Sequence, residues 1–280
     1  MTEKSNSGVD TDRNSSSDNV RAPHVPLTDY YPGEASRAGF VREMFDSTAE
    51  DYDRMETMLA FGTGKWYRGQ ALLRAGLTAG MRIVDVGVGT GLVASEAAKI
   101  VGDPTLVCGV DPSPLMMANA RVPAGVQLLN GTAESIPFPD NHFDFLSMGY
   151  ALRHIGDLRA AFQEFHRVLK PGGKICLLEI TYPRTVWGRG LLKLYMKGWV
   201  PLLAPLFGHQ RNTSRLWRYY WDTIAACLPP AQIVAELTAA GFTQSRHYID
   251  QRAMSIFAEF QATKGQATKA QTTAPAIASV

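Results

Sequence analysis

The stretch VDVGVGTGLV, residues 84–93, constrains this chain more than any other. A strand's worth of β-branched residues runs into Gly87, Gly89 and Gly91 and then into a helix-forming sequence. Glycine opens backbone conformations that a Cβ forbids, and alternating glycines bring bare backbone against something large. An ordinary strand-to-helix turn needs one such residue, so this loop reads as a ligand-binding loop.

Strands and helices alternate downstream of it. Residues 92–102 are helix-like and stop at Gly102, and residues 105–111 read as a second buried strand closed by Asp111. A helix is expected over 112–121, with Ser113 or Asp111 as its cap and Pro112 or Pro114 in its first turn. Residues 126–131, 143–149 and 174–180 read as further strands, and 158–170 as an amphipathic helix stopped by Pro171, Gly172 and Gly173. This is the pattern of an α/β fold with a doubly wound parallel sheet, whose ligands sit at the carboxyl ends of the strands.

The ligand can be narrowed. The dinucleotide fingerprint G-x-G-x-x-G breaks at Leu92, where its third glycine would stand. What remains is Asp85 before the loop and Asp111 at the end of the second strand. A carboxylate repels phosphate and bonds well to a ribose diol, so a nucleoside fits better than a phosphate.

The 280 residues, 45% hydrophobic, suffice for one full domain with tails. Residues 1–26, rich in Ser, Asp and Asn, and residues 263–280, mostly Ala, Thr and Gln, read as disordered tails around a domain at 27–262. Neither an apolar leader nor eighteen consecutive uncharged apolar residues occur, so a cytoplasmic location is expected. Cys108, Cys176 and Cys227 read as thiols without disulfide or zinc, and the scattered histidines suggest no metal. A net charge of +2 argues against bulk nucleic-acid binding. Ile180–Trp221 nevertheless holds seven basic residues and no acidic one, leaving −5 for the rest.

The loop, followed by GTAESIPFPDNHFD (131–144) and FHRVLKPGGKICLLEI (165–180) in that order, resembles the class I S-adenosylmethionine-dependent methyltransferases. Upstream, residues 44–68, together with ALRHIGD and RYYWDTI, are similar to one branch of them, the ubiquinone/menaquinone biosynthesis C-methyltransferases. The likeness covers about residues 40–262; Ala151, Leu152, Arg153 and His154 stand where the branch shows G-L-R-N. The resemblance implies a Rossmann-like, mostly parallel seven-stranded sheet with an N-terminal helical lid and a helical insertion at about 184–228. It implies S-adenosylmethionine as cofactor and a small apolar acceptor such as a prenylated quinol or phenol, methylated on carbon, with N- or O-methylation of another small molecule as the alternative. A catalytically silent scaffold is a third reading, which the intact loop and Asp111 disfavour. Position by position, it places Asp85, Gly87, Gly89 and Thr90 around the methionine part of the cofactor and Asp111 on the ribose. Thr132 and Ala133 fall at the adenine edge, Gly149 near the sulfonium, and Phe45 and Tyr52 in the lid.

A sulfonium methyl is already activated, so the protein has to align donor and acceptor, exclude water and remove a proton where the acceptor has one to lose. Arg153 is expected to act electrostatically, because a guanidinium is no base at neutral pH, and His154 is the residue able to take a proton. The plainer alternatives pair Arg153 with Asp157 and make His154 a helix cap. Tyr52 is expected to border the acceptor. In residues 187–207, Arg189, Lys193 and Lys197 recur every four residues among leucines and aromatics. That segment suits either a lid with its lysines in water or a peripheral contact with a membrane surface.

Overall fold

The computed structural model describes residues 22–50, 52–59, 63–183, 185–202, 211–249 and 256–266. Residues 1–21 and 267–280 of the expected tails fall outside the described residues, as do Arg184 and the middle of the insertion, 203–210, whereas the expected N-terminal tail is packed at its end: the Pro23 carbonyl accepts the Leu228 N–H at 2.8 Å and His24 is buried.

Among the described residues seven strands form one sheet: β1 (Ile83–Val86), β2 (Val107–Asp111), β3 (Gln127–Asn130), β4 (Phe143–Gly149), β5 (Leu169–Ile180), β6 (Phe242–Ile249) and β7 (Phe257–Lys264). Their order is β3-β2-β1-β4-β5-β7-β6, parallel from β3 to β5, with β7 antiparallel to both its neighbours. The carboxyl ends of β1, β2, β4 and β5 therefore share one edge. Every residue of β1 and β2 is buried, as continuous apolar runs covered on both faces require.

Helices α3 (Gly64–Ala75) and α4 (Leu92–Val101) cover one face through Leu72, Ala94 and Val101. Helices α6 (Leu158–Val168) and α9 (Pro230–Ala239) cover the other through Phe162, Phe165 and Leu237. Above the strand ends lies a third apolar cluster built by α1 (Glu34–Asp46), α7 (Val186–Leu194) and α8 (Arg211–Ala226), beside α2 (Tyr52–Leu59). Within it Leu192, Met196 and Val200, one helical turn apart, pack with Leu216, Tyr219 and Tyr220 of α8.

Three boundaries differ from expectation. The helix expected over 112–121 is only α5 (Pro114–Ala118), capped by Ser113, whose hydroxyl accepts the Met116 N–H at 3.0 Å. Asp111 holds the cap in turn, accepting the Ser113 N–H at 2.8 Å. Helix α6 ends at Val168 rather than Lys170, because Leu169 already pairs with Phe143 of β4, and β5 carries the Pro-Gly-Gly within it. Strand β7 runs through Lys264, two residues past the expected domain end, where the Lys264 ammonium donates to the carbonyls of His166 and Leu169.

Candidate active site

A cavity of about 440 Å³ opens at the carboxyl ends of β1, β2 and β4. Its floor is the glycine loop. Gly87 takes φ 68°, and a Cβ there would come within 2.7 Å of the Ala151 Cβ. Gly91, at φ 85°, leads into α4, and a Cβ there would meet Val122 at 2.3 Å. Either substitution combines left-handed strain with a collision, which is why these turns are glycine.

Asp111 pins the loop. Its carboxylate accepts the Gly89 N–H at 2.8 Å as well as that of Ser113, and each oxygen keeps a lone pair for a ligand hydroxyl. The side chain is buried, not open to solvent as a strand end would suggest, and burial pushes its carboxyl up while the two N–H donors oppose the shift. Asp85 lies deeper, with the Ser147 hydroxyl donating to it at 2.7 Å. Complete burial raises its carboxyl to about 7, against the pull of Ser147 and the Ala94 N–H. Thr90, Thr132, Ala133 and Gly149 complete the wall. Just beyond Gly149, Tyr150 is held at φ 60°, a costly conformation for a residue with a Cβ, and it too faces the cavity.

The cap supplies the opposite wall. Phe45 of α1 and Tyr52 of α2 line the cavity together with His154. The His154 ring stacks on Tyr219 and Tyr220, with centroids at 5.6 and 5.8 Å, and meets Phe45 edge-on at 5.2 Å. Its Nδ1 lies 3.5 Å from the Tyr219 hydroxyl, while Nε2 is buried with no hydrogen-bond partner among the described residues. Burial, reinforced by Arg153, Arg37 and His24, holds the imidazole well below its ordinary range, so it is neutral at physiological pH. It caps no helix: the N-cap of α6 is Asp157, which accepts the N–H groups of Arg159 and Ala160.

Arg153 is not part of the wall. Its side chain is 1% exposed, its Nε donates to Glu179 at 2.8 Å, and Nη1 reaches Thr223 at 3.3 Å. Its cationic carbon sits 5.6 Å from the centre of the Tyr220 ring. The surface pair with Asp157 does not form: the partner that neutralises Arg153 is Glu179, at the end of β5. Sequence reasoning also passed over Arg68 of α3, Tyr219 and Tyr220. Arg68 and the two tyrosines lie in stretches read only as resemblance, and nothing local marks them apart from the density of aromatics in RYYWDTI.

The strand order and the two strand-end carboxylates flanking a glycine loop define a class I, Rossmann-like methyltransferase. A solved S-adenosylmethionine-dependent methyltransferase of Thermotoga maritima shares the fold, with a TM-score of 0.56 over 80% of this chain and 99% of that one, at 23% identity. Residues 33–264 match the ubiE/COQ5 methyltransferase family, and the chain belongs to it. The demethylmenaquinone methyltransferase of Chlorobaculum tepidum is 38% identical over 214 residues, 74% of this chain and 86% of that relative. The 2-phytyl-1,4-naphtoquinone methyltransferase of Synechococcus elongatus is 31% identical over 215 residues, 74% of this chain and 91% of its own. This chain is thus an S-adenosylmethionine-dependent methyltransferase.

Proposed function

We propose that the chain methylates a ring carbon of a prenylated quinol or phenol, with His154 taking the acceptor's proton. The observation that carries this reading is the neutral imidazole in the wall of the glycine-loop cavity, with a buried Nε2 that has no partner among the described residues. An orphaned buried nitrogen among aromatic rings suits an aromatic hydroxyl.

The residues present fit the cofactor: bare backbone in the loop and a carboxylate at each of two adjacent strand ends match a molecule with a ribose and an ammonium group. Asp111 would accept from the ribose, with Thr132 and Ala133 along the adenine. Asp85, Gly87, Gly89 and Thr90 would surround the methionine part, and Gly149 would border the sulfonium. When bound, the cofactor supplies a methyl group already activated by positive sulfur. With Nδ1–H donating to Tyr219, Nε2 of His154 is free to take the acceptor's hydroxyl proton, which makes the ring electron-rich. The ring carbon would then bond the methyl carbon as the methyl–sulfur bond breaks and the electron pair stays on a neutral thioether; the ring carbon's proton passes to water as aromaticity returns, and His154 gives its proton back to the ring oxygen. Phe45, Tyr52 and Tyr220 exclude water around the reacting ring. Arg153 is a positioning residue here, holding Tyr220 and through it the imidazole.

The same reading assigns a partner surface. Helix α7 and the π-type turn after it (Tyr195–Trp199) bury Leu192 and Met196 but turn Trp187, Leu191, Leu194 and Trp199 outward, with Leu202 beyond them; Trp187 is 90% exposed. Such an apolar face in a segment with seven cations and no acid suits an anionic lipid surface, from which a prenylated acceptor could enter. The cation spacing alone describes it poorly, since Lys197 pairs with Asp222 at 2.6 Å and only Lys193 of the two lysines is exposed. Among the described residues no helix is long and apolar enough to cross a membrane.

The test is incubation with trideuteromethyl-labelled S-adenosylmethionine and a prenylated demethylnaphthoquinol in anionic vesicles. Label on a ring carbon with loss of one ring proton supports the reading; label on oxygen or nitrogen, or none, contradicts it.

A further inference from the structure

Arg68 is the buried charge in the cavity wall that the reaction does not use. It projects from α3, is 2% exposed and lines the same cavity as Asp85 and the glycine loop. One of its donors is satisfied: Nη2 reaches Glu56 of α2 at 2.5 Å. The other two nitrogens, Nε and Nη1, are buried and have no hydrogen-bond partner among the described residues, while the guanidinium carbon stands 5.6 Å from the centre of the Tyr150 ring. A guanidinium cannot shed its proton to escape such burial, and each unsatisfied donor costs stability unless something brought into the cavity accepts from it.

The charges lining the cavity narrow what that something is. Asp85 and Asp111 are its buried acids, and Arg68 is its buried base; of the others, Glu134 is half-buried and accepts the N–H groups of Gly156 and Asp157, and Arg42 is largely exposed and lies 3.8 Å from Asp46. A zwitterion therefore matches the deep end, with its ammonium on Asp85 and its carboxylate on Arg68. S-adenosylmethionine carries that pair of charges at its amino-acid end. We infer that Arg68 binds the cofactor's carboxylate, an assignment that rests on the methyltransferase reading of this cavity.

Glu56 gives the arrangement a second consequence. It lies one helical turn after Tyr52 on α2, and both side chains reach the cavity region, Glu56 through Arg68 and Tyr52 directly. A carboxylate held by Arg68 thus also fixes the helix that carries Tyr52, so the amino-acid end of the cofactor helps to set the acceptor wall.

Titration calorimetry on the full chain tests this with S-adenosylmethionine and its decarboxylated analogue, which keeps the ammonium, the sulfonium and the nucleoside. Wild type should bind the decarboxylated form about tenfold to a hundredfold more weakly, the range of one charge-assisted hydrogen bond. Arg68→Met should lose that discrimination, binding both about as weakly as wild type binds the analogue, and Arg68→Lys should recover part of it. Equal affinity of wild type for the two ligands overturns the assignment without needing any variant to fold. So does an Arg68→Met protein that still prefers the carboxylate. Failure of wild type to bind either ligand would instead remove the cofactor reading itself.

Discussion

The floor of the cavity and its cap recognise ligands by different means. The floor is backbone and short side chains from strand ends a few residues apart: Asp85, the glycine loop, Asp111, Thr132 and Ala133. Its hydrogen bonds are local and rigid, with Asp111 holding both the loop and the start of α5. The cap is large rings from elements far apart in the chain, where Phe45, Tyr52, His154, Tyr219 and Tyr220 touch one another, as Tyr52 and Tyr220 do across 168 residues. A floor of this kind suits one invariant molecule bound through fixed polar groups, whereas a cap of packed rings suits an apolar acceptor admitted by small rearrangements. Cofactor binding and acceptor chemistry should therefore separate under mutation.

The largest separation is expected at His154. Replacing it with Gln keeps the size and a hydrogen-bonding group but no base, and turnover should fall by about 10²–10⁴-fold while the affinity for S-adenosylhomocysteine stays within a factor of two to three. Steady-state kinetics beside calorimetry reads both. An equal loss in both quantities would mean that floor and cap are one unit.

Arg153 tests the cap from within. Removing one partner of a buried ion pair leaves the other uncompensated, so Arg153→Ala should cost about 3–5 kcal/mol of stability in a denaturant melt. The double variant Arg153→Met, Glu179→Leu should recover much of it. A single variant of unchanged stability but low turnover would return Arg153 to a direct catalytic role.

On the floor, Asp111→Ala should weaken S-adenosylhomocysteine binding by about 2–4 kcal/mol, because it removes charge-assisted bonds to a ribose and loosens Gly89. Asp85 makes the same region sensitive to pH. Its carboxyl is raised to about 7 in the folded protein, so the free protein holds a proton there that the unfolded chain has already lost. Its contribution to stability is full below the ordinary carboxylate range and is lost as pH climbs from about 4 to about 7. Cofactor affinity runs the other way, since an ammonium requires the carboxylate: binding should strengthen about tenfold from pH 6 to pH 8. Asp85→Asn should flatten that profile, and a wild-type profile without slope would remove Asp85 from the ammonium.

The smallest effect belongs to the outer face of the cap. Lys193→Glu should weaken binding to anionic vesicles by about 1 kcal/mol for each unit of charge changed, and added salt should mimic it. Cosedimentation that ignores both salt and Trp187→Ser would leave α7 as a lid alone.

The two regions also differ in how far the sequence discloses them. The loop, the strand ends and Asp111 follow from alternation, glycine spacing and one carboxylate, because each is made by residues adjacent in the chain. Every residue expected to hold the cofactor lies in the cavity wall. Arg153 illustrates the opposite case. Its partner Glu179 stands 26 residues away and Thr223 stands 70 away, and a nearer acid, Asp157, offered a plausible pair that folding spends on a helix cap instead. His154 could be named from the sequence but its state could not, since neutrality comes from burial among Tyr219, Tyr220 and Phe45. Arg68 escaped notice because no local pattern marks an arginine as buried, and only its burial and the missing partners around it among the described residues say otherwise.

Single-turnover methyl transfer to a prenylated demethylnaphthoquinol at saturating S-adenosylmethionine tests the division between floor and cap most directly. The account predicts that Asp111→Asn, once saturated, transfers at close to the wild-type rate, whereas His154→Gln remains about 10²-fold slower or more at any cofactor concentration. An Asp111→Asn protein that stays slow when saturated, beside a His154→Gln protein that transfers normally, would contradict it.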